Sequence, residues 1–487
     1  MNQDLYLYNS LSRSKENFQP IQPPNVGMYV CGPTVSGESH LGHSRPYVTF
    51  DVVYRYLKFI GYKVRYVRNI TDAGHFEEEG REAQDKVNEK AKLERVEPMQ
   101  LVQKYTNLYH DMMDLLNCQR PDIEPTATGH IVEQIDMIQV IIEKGLAYEV
   151  NGSVYFDVNK YASSNDYGKL SGRILEDMIA GSRELEGQGE KRNPADFALW
   201  KKAPAEHIMR WNSPWGEGFP GWHIECSAMA TKYLGIEFDI HGGGMDLLFP
   251  HHESEIAQSK TVSGCNPVKY WMHNNMITIN GRKMGKSYNN TITLREMFFG
   301  GNDLLEKAYP PMTVRFFILQ TQYRGTLDFS NEALLAAEKG LQRLLNAYET
   351  IGKLQPSENT SFDIAAIESA CFAAMNDDFN TAIVVANLFD ASRLINSVNA
   401  GTETISGEGI VHLKKLFDDV LFTILGIKSE TKDNSQDIDG LMQLILDIRS
   451  KAKSSKDFQT ADQIRDTLNK LGIAIKDTKE GVTWSKT

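Results

Sequence analysis

Between residues 28 and 70 the apolar positions change period twice. Met28, Tyr29, Val30 and Cys31 form a short apolar run that Gly32 and Pro33 break at once, which predicts a buried strand. Val48, Val52, Val53, Tyr56, Leu57 and Ile60 then recur at three and four, the period of an amphipathic helix, with Gly61 placed to cap its end. A second strand is expected over Lys63 to Ile70. Strand, helix and strand in this order form a βαβ unit, so the chain is expected to build a parallel sheet with a ligand crevice at the carboxyl ends of its strands.

The alternation returns late in the chain. Ile236 to His241 predicts a strand, Gly242, Gly243 and Gly244 a tight loop, and a helix is expected from near Pro250, a residue suited to a first turn. Between the two halves, a helix (Ile131 to Lys144) and short strand-like pieces (Ser153 to Val158) read as an insertion that splits the sheet in sequence. From Asn331 onward Leu and Ala recur at helical spacing. Ser429 to Asp439 is polar, has nothing to bury and reads as a linker. The last segment, 440–487, predicts a helical hairpin and a strand-like end, Gly472 to Trp484. The expected fold class is α/β, a split Rossmann-type parallel-sheet catalytic domain with an insertion, followed by all-helical C-terminal domains. The expected boundaries are 1–119 and 206–330 for the two halves of the catalytic domain, 120–205 for the insertion, 331–437 for a helical bundle and 438–487 for a small terminal domain.

Composition narrows the class. The 487 residues hold 52 Lys+Arg and 64 Asp+Glu, a net charge of -12, with 41% hydrophobic and 24% charged residues. These are the proportions of an ordinary globular protein, so disordered and collagen-like chains are excluded. No apolar run approaches the ~18 residues of a membrane span, and the N-terminus lacks the basic flank and apolar stretch of a secretory signal. Cys31, Cys118, Cys226, Cys265 and Cys371 are odd in number and scattered, which argues against a disulfide framework and for a reducing cytoplasm. Taken alone, the acidity argues against a nucleic-acid partner. It is unevenly spread, however: residues 331–440 carry -9, 441–487 carry +3 and 1–330 carry -6.

Two constellations carry chemistry. His40, Leu41, Gly42 and His43, with Pro33 and Thr34 upstream, lie between the first strand and its helix. Imidazoles beside a Gly at a helix N-terminus suit a polyphosphate, because the helix end favours negative charge and Gly lets the backbone approach. Lys283, Met284, Gly285, Lys286 and Ser287 follow Asn280-Gly281, a hairpin-turn dipeptide. Two ammonium groups on such a loop can offset the charge that builds as pyrophosphate leaves. Either motif alone is equally a surface loop; their order and their placement on two halves of one sheet change the balance.

With these motifs the chain resembles the class I aminoacyl-tRNA synthetases, whose signatures are HIGH and KMSKS. The resemblance implies that His40, His43, Lys283 and Lys286 are catalytic and that Thr34, Gly42, Gly242 and Gly243 join them in binding ATP, which enters with Mg2+. Leu41 stands for Ile and Gly285 for Ser; neither change removes a charged group.

A third group concerns the amino acid. His251 and Glu255 are four apart at the start of an expected helix and share one face. Cys31 ends the first strand, and Cys226 lies in Gly221-Trp222-His223-Ile224-Glu225-Cys226. Two thiolates, an imidazole and a carboxylate make a plausible zinc set. Together with Asn69-Ile70-Thr71-Asp72, Tyr167-Gly168-Lys169-Leu170-Ser171-Gly172, HGGGMDL from His241, FPHHESEIAQS from Phe249 and Asn376-Asp377-Asp378-Phe379-Asn380-Thr381, the pattern is similar to the cysteinyl-tRNA synthetase family over nearly the whole chain.

That resemblance implies ATP-dependent activation of L-cysteine and its transfer to tRNA(Cys). It implies one Zn2+ per chain held by Cys31, Cys226, His251 and Glu255, with Thr71, Trp222, His223 and Asp246 around the substrate. Such a metal makes chemical sense: zinc lowers a thiol pKa and binds the thiolate at ~2.3 Å, which serine's alcohol cannot match, and a dedicated partner supplies ~10⁴–10⁵ discrimination without editing. The insertion, with Lys191, Arg192, Lys201 and Lys202, is expected at the acceptor end of tRNA, and the helical and terminal domains on the stem and anticodon side. Trp484, near Lys479 and Lys486, is either a base-stacking platform or a core residue. The family implies a monomer. Ala73 to Glu79 interrupts the family pattern before Asp85-Lys86, and Glu77, Glu78 and Glu79 read as a solvated loop. A related ligase that joins cysteine to an amino sugar resembles only the catalytic half. A non-catalytic paralogue would be expected to lose His40, His43 or Lys286.

Overall fold

The structure is a computed structural model and describes residues 4–73, 87, 90, 91, 96–174, 190–285, 288–429, 435–455, 457–470, 473–478 and 481–486. The acidic run Glu77 to Glu79, Asp85, Lys86, Lys286, Ser287 and Lys479 lie outside these residues. The chain divides into two compact units, 1–428 and 429–487.

In the first unit an N-terminal hairpin, β1 (Tyr6–Asn9) with β2 (Ser14–Asn17), precedes β3 (Asn25–Val30), α1 (Leu41–Phe59) and β4 (Lys63–Arg68). Burial follows the sequence pattern: Val48, Val52, Val53, Tyr56 and Leu57 of α1 are all buried. After α2 (Pro98–Leu115) and α3 (Ile131–Glu143) come β5 (Ala147–Val150), β6 (Ser153–Phe156), α4 (Val158–Ala162), β7 (Phe197–Lys202) and β8 (Gly218–Pro220). These four strands form an antiparallel sheet over a core of Ile138, Ile141, Phe156, Leu199 and Trp200. The sheet continues to Pro220, past the position 205 at which the insertion was expected to end. The chain then returns through α5 (Ile224–Leu234), β9 (Phe238–Gly244), α6 (Glu253–Ser263) and β10 (Val268–Asn274).

The central sheet has the order β10-β9-β3-β4, with every neighbouring pair parallel. From β3 the chain crosses to β4 on one side, while β9, almost two hundred residues later, lies on the other side of β3 and leads outward to β10. The strand order therefore reverses between β3 and β9. In such sheets the ligand crevice opens beyond the strand ends at that switch point. One expectation is corrected here. Gly242, Gly243 and Gly244 do not form a loop; they are the last residues of β9 and pair with Met272, His273 and Asn274. The bare backbone is accommodated because neighbours fill the space of the missing side chains: a Cβ on Gly242 would run into the Phe50 ring, and one on Gly243 would lie 2.8 Å from His252 Cε1. The following helix begins near Pro250 as expected: a short π-helical turn, Leu248–His252, leads directly into α6 at Glu253.

Beyond the sheet, β11 (Ile277–Ile279) and β12 (Arg282–Lys283) make a hairpin whose turn, Asn280 and Gly281, has φ of 49° and 75°, as an Asn-Gly turn requires. Next come α7 (Leu294–Phe299), α8 (Pro311–Leu319) and β13 (Leu327–Phe329), which pairs with β11. The helical region follows, with α9 (Asn331–Ile351), α10 (Ile364–Asn376), α11 (Thr381–Asn399) and α12 (Gly407–Phe417). Side chains of Ser330, Asp363, Asn380 and Ser406 cap the starts of these helices, each accepting from a backbone N–H. One apolar core runs from Val48 and Leu57 through Phe316 to Leu344, Leu388 and Leu416, so sheet and bundle share an interior. Asp378 fastens the join. Its buried carboxylate accepts from Tyr8 N (2.8 Å), Tyr323 Oη (2.7 Å), Arg324 Nε (2.7 Å) and Gln322 Nε2 (3.0 Å).

The second unit comprises α13 (Ser435–Ser454), α14 (Phe458–Lys470) and the hairpin of β14 (Ile473–Thr478) and β15 (Gly481–Lys486). Its core is Met442, Leu446, Leu468 and Ile475, with Trp484 half-buried against it. Trp484 thus serves as a packing residue of this small core. Helix α13 begins inside the stretch expected to be a linker. Among the described residues no helix is long and apolar enough to cross a membrane.

Candidate functional site

Cys31 leaves β3 at the switch point, and its N–H donates to Gly242 O of β9 at 3.1 Å. Gly32 follows because nothing larger fits: a Cβ there would overlap the Asn69 carbonyl. Asn69 fixes this crossing from both ends of its amide, accepting from Gly32 N at 2.8 Å and donating to Thr71 Oγ1 at 2.9 Å. Thr34 and Thr71 are bridged as a parallel pair, so the HxGH loop and the Asn69–Asp72 segment leave the sheet together.

Above these strand ends lie Cys31, Cys226 at the start of α5, and Glu255 in the first turn of α6. Two groups of four possible donors have their ligand atoms within 4.8 Å of one another: Cys31, His223, Cys226 and Glu255, and Cys31, His241, His252 and Glu255. Glu255 is central to both. Its Oε1 is 2.8 Å from His223 Nδ1 and its Oε2 2.8 Å from His241 Nε2. His251 is in neither group. It lies one contact further out, with Nδ1 2.6 Å from His223 Nε2 and its ring stacked on Trp222 at 4.7 Å. A chain of contacts continues inward from Cys31 Sγ to His252 Nε2 (3.2 Å), from His252 Nδ1 to His273 Nε2 (2.8 Å), and from His273 Nδ1 to Ser10 Oγ (2.8 Å).

Burial and charge set the protonation of this cluster. A hydrogen bond from Cys226 favours the Cys31 thiolate, but burial and the carboxylates of Glu255, Glu225 and Asp246 together push the Cys31 thiol up to about 11. Cys226 is also raised, first by its hydrogen bond with Cys31 and then by burial. Burial would raise Glu255, yet the imidazoles of His241 and His223 and their hydrogen bonds overcome it and hold the carboxyl down at about 2. Two adjacent buried thiols beside a charged carboxylate are an arrangement that a divalent cation relieves, since metal binding favours the thiolate form. The donor chemistry, sulfur, imidazole and carboxylate, fits Zn2+.

Trp222 packs in the core of the antiparallel sheet, 3% exposed, and its Nε1 is buried without a hydrogen-bond partner among the described residues. His223 has a left-handed backbone, φ 51°, uncommon for a residue with a Cβ and found where a side chain must be aimed. Asp246 stands exposed in the short turn Met245–Leu247 that follows the glycines. Neighbouring Glu225 carries no sequence signal of its own. Burial, opposed by His223, brings its carboxyl up to about 7, and its Oε2 has no partner among the described residues. The sequence also does not mark His241, His252 and His273 as donors. His241 and His252 do fall within HGGGMDL and FPHHESEIAQS, and alternation along β10 points His273 and Met272 to opposite faces, which is the one local signal for His273.

The two signature loops meet. The rings of His40 and His43 stack at 3.7 Å and 16°, and His40 N donates to His43 Nδ1 at 3.1 Å. Burial and the neighbouring His40 lower the His43 pKa to about 3, so it is neutral at ordinary pH. A Cβ added to Gly42 would lie 2.7 Å from Met284 Cε, so the hairpin loop lies directly over the HxGH backbone. Asn290 holds that loop, accepting from Gly285 N (2.9 Å) and donating to Lys283 O (3.0 Å). Leu41 N donates to Ile292 O at 2.9 Å, which ties the helix start to the segment after the loop. Lys283 itself is exposed at the end of β12.

Two of the four cations expected to meet tRNA in the insertion, Lys201 and Arg192, are engaged within it, while Lys202 is exposed. Lys201 Nζ donates to Tyr155 Oη at 2.7 Å and is 3.8 Å from Glu190, and the Arg192 guanidinium lies 4.0 Å over the Tyr148 ring.

Comparison with known proteins accords with this geometry. Residues 17–339 match the family model of the tRNA synthetases class I (C) catalytic domain, 372–427 the DALR domain, and 436–484 the cysteinyl-tRNA ligase anticodon binding domain. The chain is 58% identical to the cysteine--tRNA ligase of Bacteroides thetaiotaomicron and 56% identical to that of Porphyromonas gingivalis, each over 99% of both chains. The corresponding protein of Chlorobaculum tepidum is 47% identical over the same shares. Among solved structures, Mycobacterium tuberculosis methionyl-tRNA synthetase in complex with methionyl-adenylate is similar with a TM-score of 0.55 at 13% identity, covering 83% of this chain and 90% of that one. The ternary complex of Agrobacterium radiobacter LeuRS with tRNA and LeuAMS is similar with a TM-score of 0.56 at 12% identity, over 85% and 86%. At those identities the solved structures establish the shared fold, while the end-to-end relatives establish more: the chain belongs to the cysteine–tRNA ligase family of the class I aminoacyl-tRNA synthetases.

Proposed function

We propose that this chain activates L-cysteine with ATP, forming cysteinyl-adenylate and pyrophosphate, and then transfers the cysteinyl group to the 3′ end of tRNA(Cys) with release of AMP. The observation that carries this reading is the gathering of two buried thiols and a charged carboxylate at the same strand ends where Met284 lies over Gly42. Selection of a thiol and activation by a nucleotide then occur in one crevice.

Thr34, His40, Gly42, His43, Gly242 and Gly243 line the ATP side. Neutral His43 contacts phosphate as a hydrogen-bonding group without bringing charge of its own. Lys283 and Lys286 offset the negative charge that builds on the phosphates when a carboxylate oxygen of cysteine attacks the α-phosphorus and pyrophosphate departs. ATP enters with Mg2+. Thr71, Trp222, His223 and Asp246 surround the amino acid: Asp246 pairs with its ammonium, and Trp222 presents a buried N–H with no protein partner among the described residues. Cys31, Cys226, His251 and Glu255 are the residues that would hold one Zn2+, which would supply recognition of the thiol and discrimination against serine. The assignment of His251 rests on the resemblance to the family; in this structure it is linked to the donor group through His223. The 436–484 region is assigned to the anticodon, and the protein is taken to act as a cytoplasmic monomer.

Cysteine-dependent pyrophosphate exchange tests the reading. Exchange should proceed with cysteine and stay at background with serine; equal exchange with both would sink it.

A further inference from the structure

The loops Leu11–Arg13 and Asp166–Arg173 face each other across an open groove of about 490 Å³. Among the described residues three cations line it, Arg13, Lys169 and Arg173, all exposed, against one carboxylate, Asp166. Arg13 has a left-handed backbone, φ 56°, and its guanidinium lies where a Cβ of Gly172 would be, so a strained residue is packed onto a glycine to hold its charge at this wall. Neither Arg13 nor Lys169 forms a side-chain ion pair with any described residue. The Arg173 guanidinium lies 4.4 Å over the ring of Phe249, which is half-buried and two residues before His251.

Both walls are anchored to the donor cluster. Ser171 N donates to Glu253 Oε2 at 3.0 Å, and Leu170 packs in the same apolar cluster as Cys31 and Cys226, with Leu11 against it. On the other wall Ser10 contacts His273 through Oγ, and its N–H donates to Trp271 O at 2.8 Å. The groove is therefore built on residues that touch the donor cluster's surroundings from both walls. Its contents are those of a single-stranded nucleic-acid track: cations spaced along a channel, and an aromatic ring with a guanidinium plane beside it. Within the insertion, Lys201 and Arg192 are turned to partners of their own, whereas Lys169 forms no side-chain ion pair with any described residue.

We infer that Arg13, Lys169 and Arg173 hold the sugar-phosphate backbone of the single-stranded 3′ end of tRNA as it enters the crevice, with Phe249 alongside for a terminal base. The inference rests on the activity proposed above and adds a site to it.

Arg13→Ala, Lys169→Ala and the double variant test it through two assays of the full chain. Pyrophosphate exchange without tRNA should match the wild type within about twofold in kcat and in KM for cysteine and ATP. In aminoacylation the double variant should raise the KM for tRNA about tenfold, and the dependence of log(kcat/KM) on log salt should become shallower by about 1.4, at roughly 0.7 for each single-strand phosphate that is no longer neutralised. Arg13→Lys should keep most of the wild-type salt slope, because it keeps the charge. An unchanged KM for tRNA with an unchanged salt slope overturns the inference. So does a parallel loss of exchange, which would make the two cations part of the ATP site or of folding. Absence of cysteine-dependent exchange in the wild type would overturn the activity reading instead.

Discussion

Cys31, Cys226, His241, His252 and Glu255 are each at most 8% exposed, and every one is held by at least one other member of the cluster. Lys283, on the hairpin whose loop lies over Gly42, stands exposed on a two-residue strand joined to its hairpin partner by two residue pairs. The side proposed to select the thiol is thus already packed and hydrogen-bonded within itself. On the phosphate side, the charge remains in water until a ligand meets it. The contrast follows from the two tasks. Discrimination of sulfur from oxygen requires donors that are already desolvated and positioned. Neutralisation of charge that appears only during reaction gains nothing from a buried ammonium, which would be costly to keep without an anion.

The largest effect expected from breaking this division comes from the buried side. Cys226→Ser should lose bound zinc, measured by metal analysis, and lower cysteine-dependent exchange by roughly three orders of magnitude, within the ~10⁴–10⁵ that a dedicated partner supplies. Full zinc content in that variant would remove Cys226 from the ligand set. On the exposed side, Lys283→Ala should cut the kcat of exchange by about 10²–10³, as expected for loss of one transition-state charge partner, with zinc content and melting temperature unchanged. Loss of metal in this variant would show that the two sides are not separately built.

The smallest effect is on acid stability. The folded pKa values of His43 and His273 are lowered to about 3, in both cases first by burial, with His40 adding to the effect at His43 and His241 at His273. Each remains neutral in the native state where the unfolded chain, near 6.5, takes up a proton. Their contribution is therefore complete above about pH 6.5 and is lost progressively as pH falls toward about 3. Urea unfolding across that window should show stability declining with acid, and His273→Gln should flatten the decline. An equally steep decline in the variant would place the acid sensitivity elsewhere.

The two sides also differ in how far the sequence reveals them. The HxGH loop, the Asn280-Gly281 hairpin and helix α1 follow from local period and turn chemistry, and the structure has them in place. The donor cluster is legible only in part. Cys31 and Cys226 are 195 residues apart, and the β3–β9 pairing together with the packing of α5 against β3 brings them together. His241, His252 and His273 carry no local signal that separates a contact within a cluster from a core histidine. Gly242 to Gly244 look like a turn in sequence because glycine usually punctuates strands. Here β3 and β10 pair on both sides of the strand, and Phe50 and His252 supply the bulk that the glycines lack. Asn290 escapes notice for the same reason: an Asn that braces a loop looks like any polar loop residue.

The close fit at these glycines restricts how the gene can drift. At Gly32, Gly242 and Gly243 the nearest obstacle to a methyl group is respectively a carbonyl of the chain, a core phenyl ring and a histidine of the donor network. Any missense change at these codons adds at least that methyl, and no single neighbouring substitution makes room beside a backbone carbonyl. A saturation library selected for growth should therefore return these three positions as blanks even where hydrophobic core positions such as Val48 accept Ile or Leu. The floor of the crevice is then among the parts of the molecule with the least mutational room available to them.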